Sequence, residues 1–223
     1  MNNLDKNPNY KKIYQFVSEK FKKTYFFWNG PLDETYFTLR VYETAKELIS
    51  KINQPVNKEL VLASAILHDI GKIKLNEEIL KERRLDSLDK RTEWKKHPLL
   101  GVPIAKEILT ELGHSSEFIE EASHLIKNHS NEDCKKSIEL KILQDADKLA
   151  DYGYESIIRC FLHSGKFQQS TIDGIKFLEN NPIKKRYENL NLEISKTIGK
   201  EKIKKHTQVV IELSKSIKSD LLD

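Results

Sequence analysis

Between Leu60 and Leu67 the chain reads LVLASAIL, and a helix made from it is apolar on nearly every side. A one-faced helix can lie on a surface, whereas an all-round apolar one must be surrounded by other elements. This run therefore calls for several neighbours, and Asn57 is placed to cap a helix running from Lys58 to His68. The run then stops at His68-Asp69-Ile70-Gly71-Lys72. A buried polar group costs free energy unless it is satisfied. Either His68 and Asp69 form a hydrogen-bonded helix end with Gly71 as its C′ residue, or something in the interior, such as a metal ion, holds them.

The neighbours are helical too. With eight Gly and six Pro in 223 residues and no alternating strand pattern, segments of 3.6-residue periodicity dominate. They are predicted over Tyr10–Phe27, from Asp33 through Leu48, and from His97 to a stop at Gly113. Further helices are predicted from Ser115 or Ser116 to His129, and over Ser137–Asp151, Glu155–His163, Thr171–Glu179, Lys184–Ile198 and Glu201–Ser219. A charged connector, KERRLDSLDKRTEW, separates Gly71 from His97. No repeat or long linker divides the chain. The expected fold is all-α and single-domain, with residues 1–30 as a helical extension and residues 31–223 as the main helical domain.

Composition narrows the setting. Mean hydropathy is −0.59 and no apolar run approaches a membrane span, so no membrane partner is expected. The N-terminus MNNLDKNPNYKK has no signal-peptide core. Cys134 and Cys160 stand far apart, as reduced thiols do. The expectation is a soluble cytoplasmic protein of open oligomeric state. Net charge is +4, with ten Lys or Arg against four Glu between Lys184 and Lys218. That bias fits a solvated helical face, and it also leaves open single-stranded nucleic acid as a weaker partner.

Other polar residues could join His68 and Asp69. His97 opens a helix before Pro98, His129 closes one, and Asp147 shares a helix face with Leu140 and Leu143. An inward carboxylate needs a partner. A salt bridge from Asp147 to Arg40 or Lys72, packing of His97 and a dipole-favoured cation at His129 would each explain one residue. Imidazoles with carboxylates also suit Mn, Fe, Co, Ni or Zn, as one or two ions.

Taken together, HDIGK, HPLLG, His129 and the Asp147 of QDADKL resemble the HD-domain superfamily of metal-dependent phosphohydrolases. The region ILQDADKLADYGYESIIRCFLHSGK is similar to a subgroup of small bacterial and archaeal HD proteins. The resemblance implies an all-α HD-type bundle that hydrolyses a nucleotide or other small phosphoester with metal-activated water. It implies His68, Asp69 and Asp147 as ligands of one ion, and His97 and His129 as ligands of another bridged by Asp69. Lys72 would lie near the substrate phosphate, and Arg40, Lys148, Arg159 and Lys166 are further candidates for phosphate contact.

The chain also departs from that pattern. The family's first His falls on Phe37 of FTLRV, and one of a histidine pair falls on Asn128. The Gly-Tyr-Pro signature of cyclic-dinucleotide phosphodiesterases is absent. Glu34, Tyr36 or water could fill the gap at Phe37. The alternative is a catalytically degenerate module without metal, acting as a ligand sensor or interaction domain.

Overall fold

The computed structural model describes residues 8–22, 34–75, 94–166, 168–180 and 187–219. These form nine α-helices and two short 3-10 turns, with no strand among the described residues. Helix α1 spans Pro8–Lys22, α2 Glu34–Ser50, α3 Lys58–Leu67, α4 His97–Glu111, α5 Ser116–Asn128 and α6 Ile138–Ala150. They are followed by α7 Tyr154–Lys166, α8 Thr171–Asn180 and α9 Glu193–Ser219. The fold is all-α, as the periodicity requires. The predicted Asp33 cap, the end of the first predicted helix and nearly all of the charged connector lie outside the described residues.

Helix α3 sits at the centre. Every residue from Leu60 to Leu67 is buried, and the helix packs against α1, α2, α5 and α6. Asn57 caps it by accepting the Leu60 amide at 3.1 Å. Ser115 and Ser137 cap α5 and α6 in the same way. Helix α1 contributes Tyr10, Ile13, Val17 and Phe21 to the same core, each one or two turns apart on one face. No described helix is long and apolar enough to cross a membrane.

Two glycines mark close approaches between helices. Gly71 does not adopt the left-handed conformation of a C′ residue. It lies in the 3-10 turn Ile70–Lys74, where an added Cβ would collide with the His97 carbonyl and the Gly101 amide nitrogen. Its missing side chain lets the start of α4 press backbone to backbone against the turn after α3, and this carries His97 to Asp69. Gly199 likewise does not break the C-terminal helix, which runs unbroken for 27 residues from Glu193. A Cβ there would press on Leu190, Tyr187 and Leu149, so the glycine brings α9 close to α6. The predicted helix boundary at Ile198–Glu201 is thus a packing site inside one helix.

Helices α7 and α8 with the far half of α9 enclose a second, smaller core of Ile157, Cys160, Leu178 and Val210. The near half of α9 packs on the main core through Ile194, Ile198 and Ile203. Between the two, His206 is buried and accepts the Gly153 amide at 3.3 Å through Nδ1. Gly153 needs its positive φ of 100° to turn the chain from α6 into α7.

Candidate metal centre

Helix α3 delivers His68 and Asp69 to the interior at its C-terminal end. His68 is fully buried, and its Nδ1–H donates to the Ala65 carbonyl at 2.8 Å. That bond fixes the ring and turns Nε2 toward Asp69 Oδ2 at 3.1 Å and Asp147 Oδ1 at 3.6 Å. Neither contact is aligned as a hydrogen bond, so Nε2 is a buried polar atom without one among the described residues. His129, the C-cap of α5, repeats the arrangement, with its Nδ1–H donating to the Ile126 carbonyl at 2.7 Å. His97 arrives from the start of α4.

Asp69 is the hub. Its Oδ1 lies 3.0 Å from His97 Nε2 and 3.7 Å from His129 Nε2, and those two nitrogens are 3.2 Å apart. Its Oδ2 faces His68 and, at 2.5 Å, the Lys72 ammonium. Asp69, His97 and His129 are all buried, and their donor atoms lie within 4.8 Å of one another. Among the described residues this set could hold a metal ion. Two imidazoles, each able to offer Nε2, and a carboxylate suit a divalent transition metal, whose identity the donors do not select. The backbone bond of His129 Nδ1 is the kind of outer contact that fixes a metal-binding tautomer.

Charge states follow from the packing. Burial opposes protonation of His68, but Asp69 and Asp147 outweigh it and raise its pKa to about 10. Burial together with the charges of His68 and His97 pushes His129 down to about 4, leaving it neutral with a lone pair on Nε2. Burial would raise the pKa of Asp69, yet His68 and Lys72 hold it well below the ordinary carboxylate range. Asp147 is lowered as well, by its contact with His68 against the effect of burial.

Cations gather on the Oδ2 side. Lys72 binds Glu34 as well as Asp69, and Arg159 Nη2 lies 3.4 Å from the other Glu34 oxygen. The Arg159 guanidinium sits 4.2 Å over the Phe37 ring, and Lys72 Nζ 5.9 Å from it. Phe37 therefore stands beside His68, with ring centres 6.4 Å apart, as an apolar wall that cations favour. Arg40 pairs with Glu155 at 2.6 Å and reaches the Tyr152 carbonyl. Arg40 Nη1 and Arg159 Nη1 are buried without a hydrogen-bond partner among the described residues.

The structure brings together His68, Asp69, Lys72, His97, His129 and Asp147, with Arg159 beside them. Lys148 points elsewhere, to Glu132 at 2.7 Å and the Asn189 carbonyl. Lys166 has only its backbone described. Asp147 contacts His68, and the salt bridge to Arg40 or Lys72 does not form, because those cations have Glu155, Glu34 and Asp69. Asn128 turns away, donating to the His124 carbonyl at 2.9 Å. Glu34, an expected oxygen donor at the gap left by Phe37, pairs instead with Lys72 and Arg159.

Sequence reasoning missed Asp145. It is fully buried and accepts from the Asn191 amide and side chain, both at 2.8 Å, and from the Leu192 amide at 2.9 Å. It tethers α6 to the segment that leads into α9. The available signal was QDAD itself, which puts Asp145 and Asp147 two residues apart and therefore on different helix faces.

Solved structures share this architecture. Bacillus subtilis YpgQ superposes with a TM-score of 0.68 at 20% identity, over 94% of this chain and 96% of that one. YpgQ in complex with ADP gives 0.68 at 19% identity, over 94% and 95%. An HD-superfamily hydrolase from Bacillus thuringiensis gives 0.67 at 19%, over 96% and 99%. No curated protein matches the chain. At these identities the likeness is one of fold, but the sequence pattern of the HD domain matches residues 38–151, from α2 to the end of α6. The chain belongs to the HD domain family.

Proposed function

We propose that this HD-family hydrolase is a metal-dependent phosphohydrolase acting on a nucleotide or another small phosphoester in the cytoplasm. The observation that carries the reading is the buried convergence of Asp69, His97 and His129 beside the cations Lys72 and Arg159. A divalent ion held there supplies a Lewis acid and lowers the pKa of water. Asp69 anchors the ion, while Lys72 and Arg159 bind and neutralise phosphoryl oxygens as charge develops. The unpartnered Nη1 donors of Arg159 and Arg40 suit such an anion. The ADP complex of YpgQ supports a nucleotide as the first class to try.

The test is a panel of nucleotides and small phosphoesters with Mn, Fe, Co, Ni or Zn. Turnover should require metal and should disappear in Asp69→Ala. Full activity of that variant would sink the mechanism. The second reading is a non-catalytic sensor or interaction module, favoured by Phe37, whose ring offers no lone pair beside His68. It predicts no hydrolysis across the panel and no stoichiometric metal.

A further inference from the structure

We infer that this chain pairs with a second copy of itself through the outer face of α7. The two helices lie antiparallel, with the two-fold axis at Ile158, so that Tyr154 of each copy lies against Leu162 of the other. The pairing is independent of the metal centre and stands whether or not the bundle hydrolyses phosphoesters.

Helix α7 is apolar on two opposite sides. Ile157 and Cys160 belong to the small core shared with α8 and α9, and Ser164 is buried one turn further on. Ile158 is two residues from Cys160 and so stands about 200° around the helix from it. It belongs to a second row, Tyr154, Ile158 and Leu162, spaced by four and exposed by 63%, 47% and 44%. Among the described residues five large apolar side chains are exposed, and this one face holds three of them. A single exposed apolar residue is ordinary, whereas a contiguous row marks a contact surface. The rule that puts α3 in the middle of the bundle applies here too, since a helix with apolar residues on both sides needs neighbours on both. The second side of α7 faces solvent instead.

Symmetry and charge select the occupant. The row itself is uncharged, and the described charged side chains of α7 are paired within the chain, Glu155 with Arg40 at 2.6 Å and Arg159 with Glu34 at 3.4 Å. Two identical faces can therefore meet without opposing like charges. The helix starts acidic at Glu155 and ends at Lys166, so an antiparallel copy sets each end against its opposite, and the two helix dipoles align favourably. In that register Ile158 meets Ile158. Tyr154, the largest of the row, meets Leu162 and the exposed Gly165, whose missing side chain leaves open space for the ring. The layer also has little apolar burial of its own, with a core of Ile157, Cys160, Leu178 and Val210. A neighbour on the outer side of α7 sandwiches the helix that carries Arg159 to the bundle. One helix face is smaller than the roughly 800 Å² per partner of a standard interface, so the pair is reversible, with dissociation expected at about 10–100 µM.

The experiment reads association and its geometry. Sedimentation of the untagged full chain, from about 2 to about 200 µM, should show a reversible monomer–dimer equilibrium. Ile158→Glu keeps a good helix former at an exposed position and should weaken pairing by more than about tenfold, because two carboxylates then face each other across the axis. In a Cys134→Ser background, mild oxidation should link Ile158→Cys chains to one another. Tyr154→Cys chains should not link, because the two Tyr154 positions stand about 12 Å apart along the helices, beyond the reach of a disulfide. A monomer at every concentration, a dimer untouched by Ile158→Glu, or linkage through Tyr154→Cys in place of Ile158→Cys overturns the inference. Binding of a monomeric chain to anionic phospholipid vesicles, lost in Ile158→Glu, would give the face to a lipid surface and refute the pairing as well.

Discussion

The main bundle and the C-terminal layer are both helical and both close over apolar side chains, but they bury different polar groups. In the bundle, Glu34, His68, Asp69, Lys72, His97, His129 and Asp145 are all buried. In the layer around α7, α8 and the far half of α9, the buried polar residues among those described are Ser156, Ser164, His206 and Ser214. Three of the four are serines, and Ser164 and Ser214 find nearby acceptors, the Cys160 carbonyl and Glu179. Such groups cost little to bury. A cluster of charges in a core does not improve on well-packed apolar residues for stability. The contrast teaches that the bundle gathers buried charge that stability alone does not call for, while the layer is built for packing and contributes Arg159 to the bundle across their boundary.

That comparison can be broken most severely at Gly71. Gly71→Ala forces a methyl into the His97 carbonyl and the Gly101 backbone. Denaturant unfolding should show a loss of about 3 kcal/mol or more, since backbone on both sides cannot yield easily. Asp145→Ala comes next. It strands the Asn191 and Leu192 amides that now share one carboxylate, and should cost about 2–3 kcal/mol. In the layer, Leu178→Ala opens a cavity in a small core beside solvent-exposed helices, with an expected cost of about 2 kcal/mol in the same assay. If charge is confined to the bundle, Leu178→Ala should leave metal affinity unchanged, and a loss there would blur the distinction.

Titration sharpens the comparison further. In metal-free protein the folded pKa of His68 is raised to about 10, above its unfolded value near 6.5. Its contribution to stability is therefore complete below about pH 6.5 and is lost as pH rises through about 10. The Tm of chelator-treated protein should fall across that window, and the fall should vanish in His68→Gln. A flat profile in the native sequence would contradict the charged state. Asp69 and Asp147 have lowered pKa values and act at the other end, where their contribution disappears as pH drops below the ordinary carboxylate range. The smallest effect expected is chemical. Burial pushes the Cys160 thiol up to about 12, so a thiol reagent at pH 8 should modify the half-buried Cys134 first and reach Cys160 only on unfolding.

Much of the centre was legible along the chain. The all-round apolar run at Leu60–Leu67 requires a central helix, and it is one. Asn57, Ser115 and Ser137 announce helix starts through chemistry that is local, a side-chain oxygen and an amide three residues on. His68, Asp69, His97, His129 and Asp147 were identifiable because imidazoles and carboxylates at helix ends or on inward faces need a reason. The contribution of Glu34 was only half legible. Its nearness to Phe37 was visible, but its partners Lys72 and Arg159 lie 38 and 125 residues away in sequence. Lys148 misled because it neighbours Asp147, although adjacent residues on a helix diverge by about 100°.

Local order thus came from the sequence alone: helix type, several caps, the buried middle helix and the residue types that can hold a metal. Those depend on neighbours within a turn or two, where spacing dictates contact. Which oxygen of Asp69 faces His97 and His129 and which faces His68 and the Lys72 ammonium was decided only in three dimensions. So were the roles of Gly71, which reads as a helix stop, and of Gly199; both prove to be points of close approach. The physical reason is common to all of these. They depend on which distant backbones meet, and a missing side chain or a shared carboxylate acquires its meaning only from the partner packed against it.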